Sequence, residues 1–134
     1  MLVKDVMSHP AICIDVKTSI KDAIDIMEKE DLGFLPITKN GTLVGVVTDR
    51  DILLRSRGKR SNSKISNIMS KETLYTINED SSLSDAGKIM GDYKIRRLVV
   101  INNNKIVGII TSKDLLKEKN LLHYIEQTYQ PTYY

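Results

Sequence analysis

The chain contains the same pattern twice. Gly45-Val46-Val47-Thr48-Asp49-Arg50-Asp51 returns as Gly108-Ile109-Ile110-Thr111-Ser112-Lys113-Asp114, 63 positions later (114 − 51). Asp22, Ala23 and Met27 return at the same offset as Asp85, Ala86 and Met90, and Leu35 and Ile37 return as Leu98 and Val100. Val6-Met7-Ser8 recurs as Ile68-Met69-Ser70 at an offset of 62 (70 − 8), so one residue has been inserted between Ser70 and Asp85. A duplication of this period dictates two similar units. Each is marginal alone, because a unit of about 60 residues buries too small a share of its surface. The two are therefore expected to pack together across a pseudo-two-fold axis.

Each copy predicts the same series of elements. Residues 11–14 and 74–77 read as short apolar strands. Thr18-Ser19 places a capping hydroxyl before Ile20, Ala23, Ile24 and Met27, spaced three and four apart as a helix with one buried face requires. Ser81-Ser82 does the same before Leu83, Ala86, Ile89 and Met90. Strands follow at 34–38 and 43–47, joined through Asn40-Gly41, a strong hairpin signal; Asn102-Asn103-Asn104-Lys105 takes that place in the second copy. A closing helix is predicted from Thr48 and from Thr111. The unit is β-α-β-β-α, made twice, and its near-continuous apolar strands call for sheets covered on both faces.

Composition narrows the class. At 41% hydrophobic and 28% charged, the 134 residues describe a globular chain rather than a disordered one. No apolar run approaches the ~20 residues of a membrane span, and the charged N-terminus has no signal-peptide core, which predicts a cytoplasmic protein. The single Cys13 excludes an internal disulfide. The formal charge of +3 is mild, but Arg55, Arg57, Lys59, Arg60, Lys64 and Lys71 fall in an acid-free stretch rich in Ser and Asn, read here as a linker. The predicted layout is a first repeat over 1–57, a basic linker over 58–64, a second repeat over 65–118, and a C-terminal helix and tail over 119–134.

The GxxTxxD motif sits where a strand hands over to a helix, a place where α/β proteins gather ligands and where free backbone NH groups suit phosphate. Thr48 and Thr111 add a hydroxyl, and Asp51 and Asp114 add a carboxylate able to accept from both hydroxyls of a ribose. The pattern suggests a nucleoside phosphate. The same residues also suit a plain structural role, Thr as helix N-cap and Asp answering the helix dipole.

Two β-α-β-β-α repeats, each ending in GxxTxxD after a hairpin and each introduced by a Val/Ile-Met-Ser segment, resemble the cystathionine-beta-synthase (CBS) domain pair, or Bateman module. The likeness runs from Val3 to Leu116. It implies an α/β (α+β) fold of tandem repeats and a regulatory sensor that takes AMP, ADP, ATP, S-adenosylmethionine or a related adenosine ligand in clefts between the repeats. No cofactor is required. By position, the resemblance gives the ribose to Asp51 and Asp114, and the ribose or phosphate to Thr48 and Thr111. Phosphate falls to Arg96 and Arg97, which enter the second-copy strand where the first copy has Gly33-Phe34, with Arg50 and Lys113 as further phosphate residues. Arginine's planar donors fit a phosphate well. Adenine falls to Ile12 and Cys13 and to Leu74 and Tyr75. In related pairs the cation comes from one repeat and the ribose carboxylate from the other, so the Asp51 cleft is expected to be the better phosphate site.

Other classes find less support. His9 and His123 lie outside the motif and belong to no recognisable triad, and no paired histidines or clustered carboxylates suggest a metal site, so neither an enzyme nor a metalloprotein is expected. Nucleic-acid binding through the basic linker is the alternative from another class, weakened by the absence of Trp and of any aromatic among those cations. Ligand-independent dimerisation is a third reading. Leu121, Leu122, Tyr124, Ile125 and Tyr129 would make one apolar face of a helix ended by Pro131, and a homodimer is expected. The repeats and tail account for the whole length, so a signal is expected to pass to a separate effector protein.

Overall fold

Side-chain caps start the longer helices and left-handed residues close the turns. In the computed structural model, which describes residues 1–71 and 74–117, a short α1 (Val3–Val6) and β1 (Ile14–Asp15) lead into α2 (Ile20–Glu30). Ser19 Oγ accepts from Asp22 N at 3.0 Å, and Ile20, Ala23 and Met27 form its buried face. The helix ends at Asp31 with φ 52°. Next come β2 (Phe34–Lys39) and β3 (Thr42–Thr48), joined by Asn40 at φ 53° and Gly41 at φ 79°, the paired left-handed geometry that matches the twist of a two-residue hairpin. Then follows α3 (Asp49–Arg55). The second copy repeats this as β4 (Thr76–Asn78), α4 (Leu83–Tyr93), β5 (Arg97–Asn102), β6 (Lys105–Thr111) and α5 (Ser112–Leu116). Ser82 caps α4 at 3.1 Å, Lys94 ends it at φ 55°, and Asn103 and Asn104 make its hairpin turn at φ 50° and 64°.

Each copy forms a three-stranded sheet, ordered β1-β2-β3 and β4-β5-β6, with the first pair parallel and the second antiparallel. Ile14 faces Ile37 as Ile77 faces Val100, which places the inserted residue between Ser70 and Ile77. The central strands are buried through Leu35-Pro36-Ile37 and Leu98-Val99-Val100, as a sheet covered on both faces demands.

The chain divides into two compact units, residues 12–74 and residues 1–11 with 75–117. Each unit receives a strap. In the first, Ile65 and Ile68 are buried at 0% and 1% exposure, and Ser70 exchanges backbone hydrogen bonds with Val46 at 2.8 and 3.0 Å. In the second, Val3 is fully buried and Ser8 exchanges bonds with Ile109 at 2.9 and 3.0 Å. The recurrent Met-Ser therefore marks a chain crossing a strand at close range. A Cβ at Gly45 would lie 2.7 Å from Met69 Sδ and 3.1 Å from the Ser70 carbonyl; at Gly108 it would lie 2.5 Å from Met7 Sδ and 2.8 Å from the Ser8 carbonyl. The glycine of the motif serves this crossing.

Three local expectations need correction. The first strands begin later than residues 11–14 and 74–77 suggest, at Ile14 and Thr76, because pairing with β2 and β5 starts only there; Cys13 thus precedes its strand, half-buried, with its thiol pushed up in pKa by burial. The closing helices start at Asp49 and Ser112, with Thr48 and Thr111 as their extended N-caps. The acid-free stretch is more than a linker: Arg55 ends α3, and Ile65–Asn67 is a 3-10 turn whose Ile65 enters the core. The helix and tail expected over 119–134, with the Leu121, Leu122, Tyr124, Ile125 and Tyr129 face, Pro131 and His123, lie outside the described residues.

Candidate functional site

Each GxxTxxD motif folds into a reciprocal capping box. Thr48 Oγ1 accepts from Asp51 N at 3.2 Å, while Asp51 Oδ2 accepts from Thr48 N at 3.0 Å and from Thr48 Oγ1 at 3.2 Å. The second copy matches: Thr111 Oγ1 accepts from Asp114 N at 3.4 Å, and Asp114 Oδ2 accepts from Thr111 N at 2.9 Å and Thr111 Oγ1 at 3.2 Å. The spacing that pointed to a ligand also builds the helix start. Such a cap contributes about 1 kcal/mol.

The carboxylates are also set apart by burial. Asp51 and Asp114, each 8% exposed, are buried acids whose sheltered oxygens face partners at longer range. Ser70 Oγ reaches both Asp51 oxygens at 3.4 Å and Arg55 Nε stands 3.7 Å from Oδ1, while Lys117 Nζ stands 3.7 Å from Asp114 Oδ1. A carboxylate offers about four acceptor positions. The capping box occupies one oxygen of Asp51 closely and leaves the other held by longer contacts. Sequence reading missed Ser70, Arg55 and Lys117. The i, i+4 spacing of Asp51 and Arg55 was a usable signal; the Ser70 contact depends on where the strap crosses.

Arg97 opens β5 opposite Thr111, and the Arg96 carbonyl accepts from Ser112 N at 2.8 Å. Phe34 opposite Thr48, and the Gly33 carbonyl accepting from Asp49 N at 3.0 Å, hold those places in the other unit. Arg50 and Lys113 are exposed at the second position of α3 and α5. Ile12 and Cys13 lie just before β1, and Leu74 and Tyr75 just before β4. Tyr75 stacks on Tyr93, the last residue of α4, with ring centroids 4.2 Å apart and planes at 27°. Glu30 ends α2 where Tyr93 ends α4, so this aromatic pair has no counterpart in the first copy.

The chain matches the CBS domain family twice, over residues 3–58 and 65–120. It belongs to the CBS domain family. CBS domain-containing protein YhcV of Bacillus subtilis is 36% identical over 115 residues, covering 84% of this chain and 81% of that protein. The solved CBS domain pair of protein MJ0100, in complex with 5'-methylthioadenosine and S-adenosylmethionine, shares 31% identity at a TM-score of 0.77, covering 92% of this chain and 96% of that one. CBS domain protein PAE2072 of Pyrobaculum aerophilum, complexed with AMP, shares the fold at a TM-score of 0.82 with 22% identity, covering 94% and 99%. The chain is thus a tandem pair of CBS repeats, and each compact unit takes its strap, residues 3–8 or 65–70, from the other repeat. Among the described residues no helix is long and apolar enough to cross a membrane, and no group of three or more His, Cys, Asp or Glu side chains is placed to hold a metal ion.

Proposed function

We propose that this CBS pair is a non-catalytic regulatory module that binds an adenosine-containing ligand, of the AMP, ADP, ATP or S-adenosylmethionine type, and reports an energy or metabolite level to an effector. The observation that carries the reading is the near-buried Thr-Asp pair of each GxxTxxD motif. Asp51 and Asp114 would accept from the ribose hydroxyls, and Thr48 and Thr111 would bond ribose or phosphate. The contacts of Asp51 at 3.4 and 3.7 Å are long enough to yield to a diol without dismantling the cap. The adenosine compounds held by the MJ0100 pair, 31% identical, favour the same ligand class.

Arg96 and Arg97 would give a phosphate preference, with Arg50 and Lys113 contributing from the helix starts, and the residues before β1 and β4 would meet adenine. The experiment is a titration of AMP and of adenosine into the wild type and an R96Q/R97Q variant. The variant is expected to lose at least about 5-fold in AMP affinity, the equivalent of about 1 kcal/mol, and to keep adenosine affinity. Equal losses for both compounds would remove the arginines from the phosphate role. Failure of the wild type to bind any adenosine compound would remove the proposed function.

Homodimerisation belongs to the same proposal. Leu53 and Leu116 occupy equivalent positions of α3 and α5 and are 76% and 65% exposed, apolar surface that a second subunit would cover. Sedimentation checks it: a dimer is expected, weakened in L53K/L116K, and a concentration-independent monomer would contradict it.

A further inference from the structure

The second compact unit supplies an internal control for the strap of the first. In residues 12–74 the strap is pinned to the start of α2 by Ile20 N to the Ser63 carbonyl at 2.8 Å and Ile65 N to the Thr18 carbonyl at 2.7 Å, with Lys64 bridged to Ser19. In the other unit the start of α4 makes the same bonds to Met1 and Val3, at 3.4 Å from Leu83 N to the Met1 carbonyl and 2.8 Å from Val3 N to the Ser81 carbonyl, with Leu2 bridged to Ser82. In both units the strap is secured by backbone bonds and a fully buried aliphatic residue, Ile65 or Val3, and leucine serves where Lys64 stands. Lys64 therefore adds no contact that pins the strap, and Arg57, Lys59 and Arg60 precede the pinned segment.

They are nevertheless held in place. Lys59 N donates to the Ser56 carbonyl at 2.9 Å, Ser63 N to the Arg60 carbonyl at 3.0 Å, and Lys21 N to the Ser61 carbonyl at 2.9 Å, with Gly58 turning the chain at φ 73°. Arg55, Arg57, Lys59, Arg60 and Lys64 are all exposed, and no acid occurs between Asp51 and Glu72. Arg55 has Asp51 at 3.7 Å. An ordered loop loses less chain entropy on binding than a free one, so these donors are set out in advance.

We propose that residues 55–64 are a docking surface for nucleic acid, bound through its phosphate backbone without regard to sequence. Between Arg55 and Lys64 every residue is Arg, Lys, Ser, Asn or Gly. These are the donors that phosphate contacts use. The stretch offers no apolar anchor of the kind that a protein interface or a bilayer surface would need. The exposed Leu53 and Leu54 lie on α3, before the loop, and Leu53 recurs as Leu116 in the other unit, so this apolar surface belongs to the helix and not to the loop. With no aromatic among the cations, base stacking contributes nothing and the affinity is set by charge.

The test is fluorescence anisotropy of a labelled mixed-sequence single-stranded RNA of about 20 nucleotides, titrated with wild type and with R57Q/K59Q/R60Q between about 50 and 200 mM salt. Arg55 is left in place because it pairs with Asp51. The wild type should bind at low salt, equally for a second RNA of unrelated sequence. The variant should lose at least about 10-fold, and its slope of log affinity against log salt should flatten by about 2, three phosphates at about 0.7 each. Its thermal melting should coincide with that of the wild type, since the three side chains are exposed and the hydrogen bonds that hold the loop run between backbone atoms. The proposal is overturned by no RNA binding at low salt, by an unchanged affinity and slope in the folded variant, by equal displacement with polyglutamate of matched charge, or by binding to phosphatidylserine vesicles in place of RNA.

Discussion

The two compact units carry one skeleton with different chemistry laid over it. Both have the capped helix, the left-handed hairpin, the Thr-Asp box, the fully buried aliphatic residue of the strap and the glycine beneath the crossing. The unit of residues 12–74 adds an ordered basic loop, while the other adds Arg96-Arg97 and the stacked Tyr75-Tyr93 pair. What both keep is what the fold needs at those places. What one alone has is not required by the shared skeleton. The Thr-Asp box stands on both sides of this division, because a buried N3 carboxylate caps its helix and also presents acceptors beside a strand end.

The comparison is most severely tested at the straps. Ile65→Ala and Val3→Ala empty equivalent fully buried positions, and the first should destabilise by about 2 to 5 kcal/mol, the second by somewhat less because valine is one methylene smaller. Chemical denaturation reads both, and a loss below about 1 kcal/mol at Ile65 would mean that the strap is not core. Next come the glycines. Gly108→Ala and Gly45→Ala should each cost about 1 to 3 kcal/mol by overpacking, with Gly108 the worse because the Ser8 carbonyl would stand at 2.8 Å against 3.1 Å for Ser70; the reverse order in thermal melts would break the ranking. Thr48→Ala and Thr111→Ala should then cost about 1 kcal/mol apiece through the lost cap, and a large difference between them would show that one box bears more than a cap. Smallest and opposite in sign, Asp31→Gly and Lys94→Gly should raise stability by up to about 1 kcal/mol, since both positions hold the left-handed conformation that costs a side chain about that much. A fall in melting temperature at either would point to a contact of the native side chain.

Most of the skeleton was legible because it is local. Ser19 and Ser82 announce their helices by hydroxyl and by the apolar spacing behind them, and Asn40-Gly41 announces its turn by the backbone it tolerates. The first strands were misplaced because they are only two and three residues long and their limits are set by partners in β2 and β5, distant in sequence. The division into units was hidden for a related reason. Val6-Met7-Ser8 was visible as a repeated word, but nothing local says that it crosses Gly108 and not Gly45. At the candidate site, Thr48, Asp51, Thr111 and Asp114 were found by recurrence, and both their ligand and capping readings came from spacing. The second partners of Asp51 were not visible as such, since Ser70 is brought to it only by the strap.

The adenosine reading rests on the two carboxylates, and the direct measurement is calorimetric titration of AMP, S-adenosylmethionine and 5'-methylthioadenosine into wild type, D51N, D114N and the double variant, each shown to be folded. Asparagine keeps the size and an acceptor for the Thr48 or Thr111 amide but loses the charge and one acceptor for the ribose. At least one compound should bind the wild type, a single variant should lose about 1 to 3 kcal/mol at its own site, about 5- to 150-fold in affinity, and the double variant should lose binding at both. Undiminished affinity in the double variant would leave Asp51 and Asp114 as helix caps alone and contradict the account.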